Sequence, residues 1–278
     1  MSESAKPNRK EHRTLSIMLV SLYVCGGALA ILILWIVRQG WMVPPVEMIS
    51  GWRTAVMGVV AVGIIMATFR KFQARWWWEI LFTVTLFLGV WFAFLLVLPL
   101  GWAFAIASVL TLAQIFLRVV IIHDLFYLIG SVGVAINFAG WLPPEILLVG
   151  LVGFTVYDMV AGPPGGPVLQ LAAQLVSRGI VPGAILVARP RDLMGSVDAV
   201  IKRTTSVLLG AGDIILPLTL VARAAFAGPG PAAIVLAGVL VGALILGRTN
   251  GLHPRAALPA LATGAAVPFL ILRLLSLI

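Results

Sequence analysis

Two aspartates sit inside long apolar segments, where a carboxylate has little water to solvate it. Asp158 lies in the run from Glu145 to Ala161, EILLVGLVGFTVYDMVA, and Asp213 in the run from Thr204 to Ala227, TTSVLLGAGDIILPLTLVARAAFA. The other acidic residues (Glu3, Glu11, Glu47, Glu79, Asp124, Glu145, Asp192 and Asp198) fall in loops or at segment ends. A charge in hydrocarbon is costly and by default marks a functional site. Two such acids in consecutive spans suggest a catalytic dyad. In a low-dielectric site both cannot comfortably ionise, so one stays protonated while the other is a base, and they titrate as a pair. The base takes a proton from water, which attacks a carbonyl whose oxygen the protonated acid hydrogen-bonds. That is hydrolysis without a metal or a nucleophilic side chain.

The flanking residues fit that chemistry. Tyr157 sets a phenol beside the first acid, and Gly210-Ala211-Gly212-Asp213 removes bulk one and three residues before the second. Glycines in a membrane helix permit close backbone approach, as a substrate strand or a partner carboxylate requires. Pro217 lies four residues after Asp213 and removes the N–H that would bond the Asp213 carbonyl. A third element, Leu258-Pro259-Ala260-Leu261, opens the last apolar segment. Proline in a helix's first turn costs nothing, which is its plainest reading. Its alternative role is to shape the site, with Pro259 and Ala260 presenting backbone groups and Leu261 an apolar wall.

These residues need a membrane scaffold to position them. Hydrophobic residues make up 61% of the 278, only 10% are charged, and the mean hydropathy is +1.11. A soluble domain carries about a quarter charged residues, so the chain reads as a polytopic, all-α membrane protein. Windows near 20 residues place nine transmembrane helices at 15–37, 54–70, 79–98, 101–118, 122–140, 145–161, 204–227, 231–247 and 256–277. Pro44-Pro45, Pro99, Pro143-Pro144, Pro163-Pro164 and the Gly228–Pro231 stretch punctuate them. The first run, Leu15 to Val37, is too long for a cleavable signal peptide. The reading is one membrane-embedded unit over 1–278. A cytoplasmic tail (1–14) leads to spans one to six (15–161), a cytoplasmic connection (162–203) and spans seven to nine (204–278). Within the connection, 180–188 is apolar enough for a short strand or a membrane-touching segment.

Composition also excludes functions. Cys25 is the only cysteine, so no intrachain disulfide or thiolate cluster forms. His12, His123 and His253 lack ligand spacing, so neither a metal nor another cofactor is expected. The net charge of +9 is spread thinly between spans and orients the chain rather than binding nucleic acid. With an odd span count and a cytoplasmic N-terminus, fifteen of the 19 basic residues fall inside; Arg38, Arg53, Arg223 and Arg273 fall outside. Trp76, Trp77 and Trp78 at one interface, and Trp41, Trp52 and Trp141 at the other, suit aromatic belts. Asp158 then lies ~20 Å along its helix from Glu145, and Asp213 at most ~15 Å past Arg203. Both depths lie toward the cytoplasmic face, so the acids can meet across a helix contact.

Tyr-Asp in span six, Gly-x-Gly-Asp in span seven and Pro-Ala-Leu opening span nine together resemble the GxGD intramembrane aspartyl proteases, the family of presenilin and signal peptide peptidase. The resemblance follows the nine-span layout across most of the chain. Asp124 before an apolar span resembles the acid at the start of the presenilin fifth helix, and GVAINFAGWLPPEILL the passage from helix five to six. The inferred orientation is presenilin-like, GDIILP is closer to signal peptide peptidase, and the whole looks most like prokaryotic presenilin homologues. The resemblance implies an intramembrane aspartic endopeptidase with Asp158 and Asp213 catalytic, acting on transmembrane peptides or proteins in a lipid bilayer. It implies no cofactor and no obligatory partner subunit, and leaves self-association into a homo-oligomer open.

The rival reading from another class is a cation or proton transporter, or an ion leak, since paired acids also mark proton relays. No repeat relates the chain halves, as many transporters show. A prepilin-type peptidase also uses Gly-x-Gly-Asp, but would offer its acids in loops or at helix ends. The charge asymmetry predicts a cell-membrane protein with its N-terminus cytoplasmic and C-terminus outside. With Cys25 replaced by serine, an impermeant thiol reagent should label a cysteine at position 141 or 230 on intact cells, and miss one in the 162–203 connection.

Overall fold

Within hydrocarbon a helix satisfies its own backbone, so apolar runs of this length fold as helices unless something else pairs with them. The computed structural model describes residues 9–41, 75–161, 167–177, 179–201, 206–248 and 257–278. Its helices are α1 (Arg9–Ile36, continuing through a π-helical turn, Val37–Trp41), α2 (Arg75–Leu95), α3 (Leu100–Leu117), α4 (Val120–Trp141) and α5 (Pro144–Ala161). Then come α6 (Pro167–Ser177), strand β1 (Gly183–Val187), a 3-10 turn (Pro190–Met194), α7 (Val197–Ile201) and strand β2 (Ser206–Gly210). Helices α8 (Ala211–Ala225), α9 (Pro229–Arg248) and α10 (Leu258–Leu274) complete it. The expected span at 54–70 lies outside the described residues, and a helix coincides with each of the other eight windows. Among the described residues, four stretches are long and apolar enough to cross a bilayer: Lys10–Gln39, Leu100–Leu117, Val120–Trp141 and Pro229–Arg248. The chain is a membrane protein; nine spans are not carried by the described residues.

Helix α8 is the hub. It packs against α1, α4, α5, α9 and α10, and Ile214, Leu218, Leu220 and Val221 are buried in the core they share. Helix α3 is peripheral, with Trp102, Phe104, Val109 and Phe116 exposed, as lipid-facing side chains are. Glycines line the crossing of α9 and α10. A Cβ on Gly238 would run into the Gly264 carbonyl, and one on Gly242 into the carbonyl of Ala260. Small residues four apart let membrane helices pack backbone to backbone. This contact seats the Leu258–Leu261 turn against the bundle. Gly89, Gly130 and Gly133 do the same where α2 meets α4.

Two expectations need correction. The fold is not purely α: β1 and β2 form an antiparallel pair with Gly183 opposite Gly210 and Val187 opposite Ser206. The seventh span does not begin at 204, because residues 206–210 are strand and the helix starts at Ala211. The physical reason is pairing: β1 offers a partner ladder, and Ser206-Val207-Leu208-Leu209 is as suitable for a strand as for a helix. β1 is buried on both faces. Ala184 and Leu186 join the main core, whereas Ile185 and Val187 join a cluster with Val120, Val197 and Val200. The connection before it also holds α6, a helix not anticipated.

Gly242→Val should destabilise the protein by about 1–3 kcal/mol through overpacking at the α9–α10 crossing. Gly101→Val, where nothing lies within 4 Å of an added Cβ, should leave the melting temperature in detergent unchanged.

Candidate functional site

The site is assembled from the N-terminal turns of α4 upward. His123 Nε2 donates to the Gly183 carbonyl at 3.0 Å, and the Tyr127 hydroxyl donates to the Pro182 carbonyl at 3.1 Å. Asp124 Oδ1 accepts the Ile185 N–H at 2.8 Å, and Arg118 donates to the Gly179 carbonyl at 2.9 Å. Backbone groups alternate in direction along a strand, so the groups of residues 183 and 185 point away from β2. Side chains of α4 therefore seal the outer edge of β1. The strand is immobilised, and through the ladder so is β2, which runs directly into α8.

Asp213 is the third residue of α8. Its Oδ2 accepts the Gly210 N–H at 3.2 Å. An added Cβ on Gly210 would lie 3.2 Å from the same oxygen, so glycine leaves the carboxyl its place. Gly212 is exposed, with nothing within 4 Å of an added Cβ, and leaves open space beside the acid. The Asp213 carbonyl, which Pro217 cannot serve, accepts the hydroxyl of Tyr23 from α1 at 2.6 Å.

Asp158 lies in the last turn of α5. The Leu258 N–H at the start of α10 lies close enough to its carboxyl to favour the charged form, and Asp213 lies within electrostatic reach. The Asp158 Oδ2 is buried with no hydrogen-bond partner among the described residues. A buried oxygen with no partner is expensive, and it is the natural place for a water or a substrate group. Chain segments 55 residues apart thus place two acids within electrostatic reach of each other, at the ends of two helices.

The other predicted residues distribute unevenly. Pro259 and Ala260 are half-buried at the start of α10, beside the Leu258 N–H that meets Asp158. Leu261 is 0% exposed and packs into the core. Tyr157 is 46% exposed on the outer surface of α5, where Val156, Met159 and Val160 are exposed too. The phenols that do approach Asp213 are Tyr23 and Tyr127, both buried and both in electrostatic contact with it. Neither was anticipated for the site. The one available signal was that a chain with three tyrosines places one mid-span in its first helix. No group of three or more His, Cys, Asp or Glu residues that could hold a metal occurs among the described residues.

No protein-family model matches this sequence, and no curated protein matches it. Solved structures do. A presenilin-family intramembrane aspartate protease, in one crystal form, superposes with a TM-score of 0.60 over 94% of this chain and 99% of that one, at 20% identity. In a second crystal form the TM-score is 0.57 at 21% identity, over 92% of this chain and 96% of that one. The chain shares the presenilin-family protease fold. Coverage this complete at such low identity means that the fold is held by pattern and packing rather than by particular side chains.

Asp124→Ala should loosen β1 at a cost of about 1–3 kcal/mol, because the Ile185 N–H is left buried and unpaired. Hydrogen exchange at the Ile185 amide should accelerate. Asp124→Asn, whose amide oxygen still accepts, should protect it nearly as well as aspartate.

Proposed function

We propose that the chain is an intramembrane aspartyl endopeptidase that hydrolyses peptide bonds within or near transmembrane segments. The observation that carries this reading is the convergence of Asp158 and Asp213, one of whose oxygens is buried and unpartnered. The neighbours of the same fold, which are intramembrane aspartate proteases, support it.

The chemistry needs only the two carboxyls and a water. One acid, ionised, removes a proton from the water as its oxygen bonds the scissile carbonyl carbon. The other, protonated, donates a hydrogen bond to the carbonyl oxygen, which takes on negative charge. Collapse of the tetrahedral intermediate breaks the C–N bond. A proton passes to the leaving nitrogen, giving a carboxylic acid and an amine.

A helical substrate hides its carbonyls and must unwind to reach this site. An extended chain pairs best with a free strand edge. The outer edge of β1 is occupied by His123 and Asp124, whereas β2 is only partly buried at four of its five residues. The receiver we propose is therefore β2, with residue 208 directing its backbone groups away from β1, and Gly212 leaving room beside Asp213. The Pro259-Ala260 turn borders the site from the other side. Substrates enter from the bilayer, and no cofactor or obligatory partner takes part.

The test is purified protein in detergent or proteoliposomes with a transmembrane-peptide reporter, with and without a transition-state mimic for aspartyl proteases. Asp158→Asn and Asp213→Asn should each lower cleavage by roughly 10²–10⁴-fold. Melting temperatures should hold or rise, since a buried charge is removed. Paired intramembrane acids also suit a cation or proton pathway. Near-normal cleavage by both variants, alongside an acid-dependent proton leak in the wild type, would transfer the assignment to that class.

A further inference from the structure

Proline at position 217 removes the backbone donor for the carbonyl of residue 213, the residue whose side chain is one of the two acids. In a low-dielectric interior an unpaired carbonyl must find another partner or its turn shifts. Here the partner comes from α1, 190 residues away in sequence. Tyr23 is 0% exposed, and its hydroxyl donates to the Asp213 carbonyl at 2.6 Å. Tyr127, the other phenol near Asp213, is committed to the Pro182 carbonyl. The Asp213 carboxyl is held separately by the Gly210 N–H. The side chain and the main chain of one acid are thus fixed from two directions, one of them by a helix that otherwise lacks a role at the site.

We propose that Tyr23 is a positioning residue: by bonding the carbonyl that Pro217 leaves open, it holds the first turn of α8 and aims the Asp213 carboxyl at Asp158. The inference rests on the protease reading. Helix α1 then serves as a clamp on the reacting acid, and the proline makes the clamp necessary.

Four proteins test it: wild type, Tyr23→Phe, Pro217→Ala and the double variant. Phenylalanine keeps the ring and removes the hydroxyl. Alanine at 217 restores an N–H four residues after Asp213, so the helix can satisfy that carbonyl itself. Tyr23→Phe should lower kcat for the peptide reporter by roughly 10- to 100-fold, as a small misplacement of a reacting group does, with KM little changed. In the Pro217→Ala background the same substitution should cost less than about threefold, a coupling that independent sites do not show. The fall in melting temperature on Tyr23→Phe should likewise shrink in that background. Equal losses in both backgrounds, in kcat and in melting temperature, would mean that the ring only packs, and the proposal falls. A Tyr23→Phe protein that will not fold, with a folded and active double variant, supports it as well. If wild type cleaves no transmembrane peptide, the protease reading fails on its own. The melting-temperature cycle then decides whether Tyr23 bonds the Pro217-freed carbonyl.

Discussion

Every backbone N–H and C=O in the interior of this protein must be paired without help from water, and that requirement shapes the site as much as the carboxylates do. Regular helix meets it over most of the chain. It is not met automatically at a strand edge or opposite a proline, and this site has both, at the outer edge of β1 and at Pro217. The strand edge is closed by His123 and Asp124, and the proline's orphan carbonyl by Tyr23. Each repair reaches from a different helix to one short stretch, residues 183 to 217. Side chains that look structural by type are therefore what fix the geometry of the acids.

Close helix approach is the second half of the same design. The glycines of α9 and α10 bring two backbones into contact, which sets where α10 begins. At that start the Leu258 N–H meets Asp158. A bulky residue at Gly242 would push on Ala260, two residues from that contact. The Leu258–Leu261 segment accordingly matters through its main chain: Leu258 supplies a donor, Pro259 needs none, and Leu261 anchors the turn in the core.

Much of this could be read from residue types alone. Two acids in apolar surroundings stand out because burying a charge is expensive. Pro217 pointed to a freed carbonyl because its consequence is local and lies four residues away. The windows of apolar residues placed eight helices for the same reason, that a period and a length are local properties. What stayed hidden is non-local. The 206–210 segment is an unbroken apolar run, and such a run reads equally as buried strand or helix until its partner is known. A short strand was one of two readings open for 180–188, where β1 lies, but its pairing with 206–210 is not written in either run, because β1 is apolar on both faces and shows no alternation. Tyr157 drew attention by adjacency to Asp158, yet on a helix the next residue points about 100° away. The tyrosine that touches the site comes from α1, and nothing in the intervening sequence pairs Tyr23 with Asp213.

A site that brings two carboxyls together in low dielectric works against its own stability, since each disfavours ionisation of the other. The surroundings offset this differently for the two acids. Asp213 sits in the first turn of α8, where the helix's positive end and the Gly210 N–H favour its charge. Asp158 sits in the last turn of α5, where the helix end disfavours charge and the Leu258 N–H favours it, and its Oδ2 has no hydrogen-bond partner among the described residues. Two acids of one chemical type are thereby given unequal environments, and in the reaction proposed above that inequality decides which of them holds the shared proton. The asymmetry follows from topology: one acid at the end of a helix, the other at the start of the next span, joined by a strand pair that sets their register.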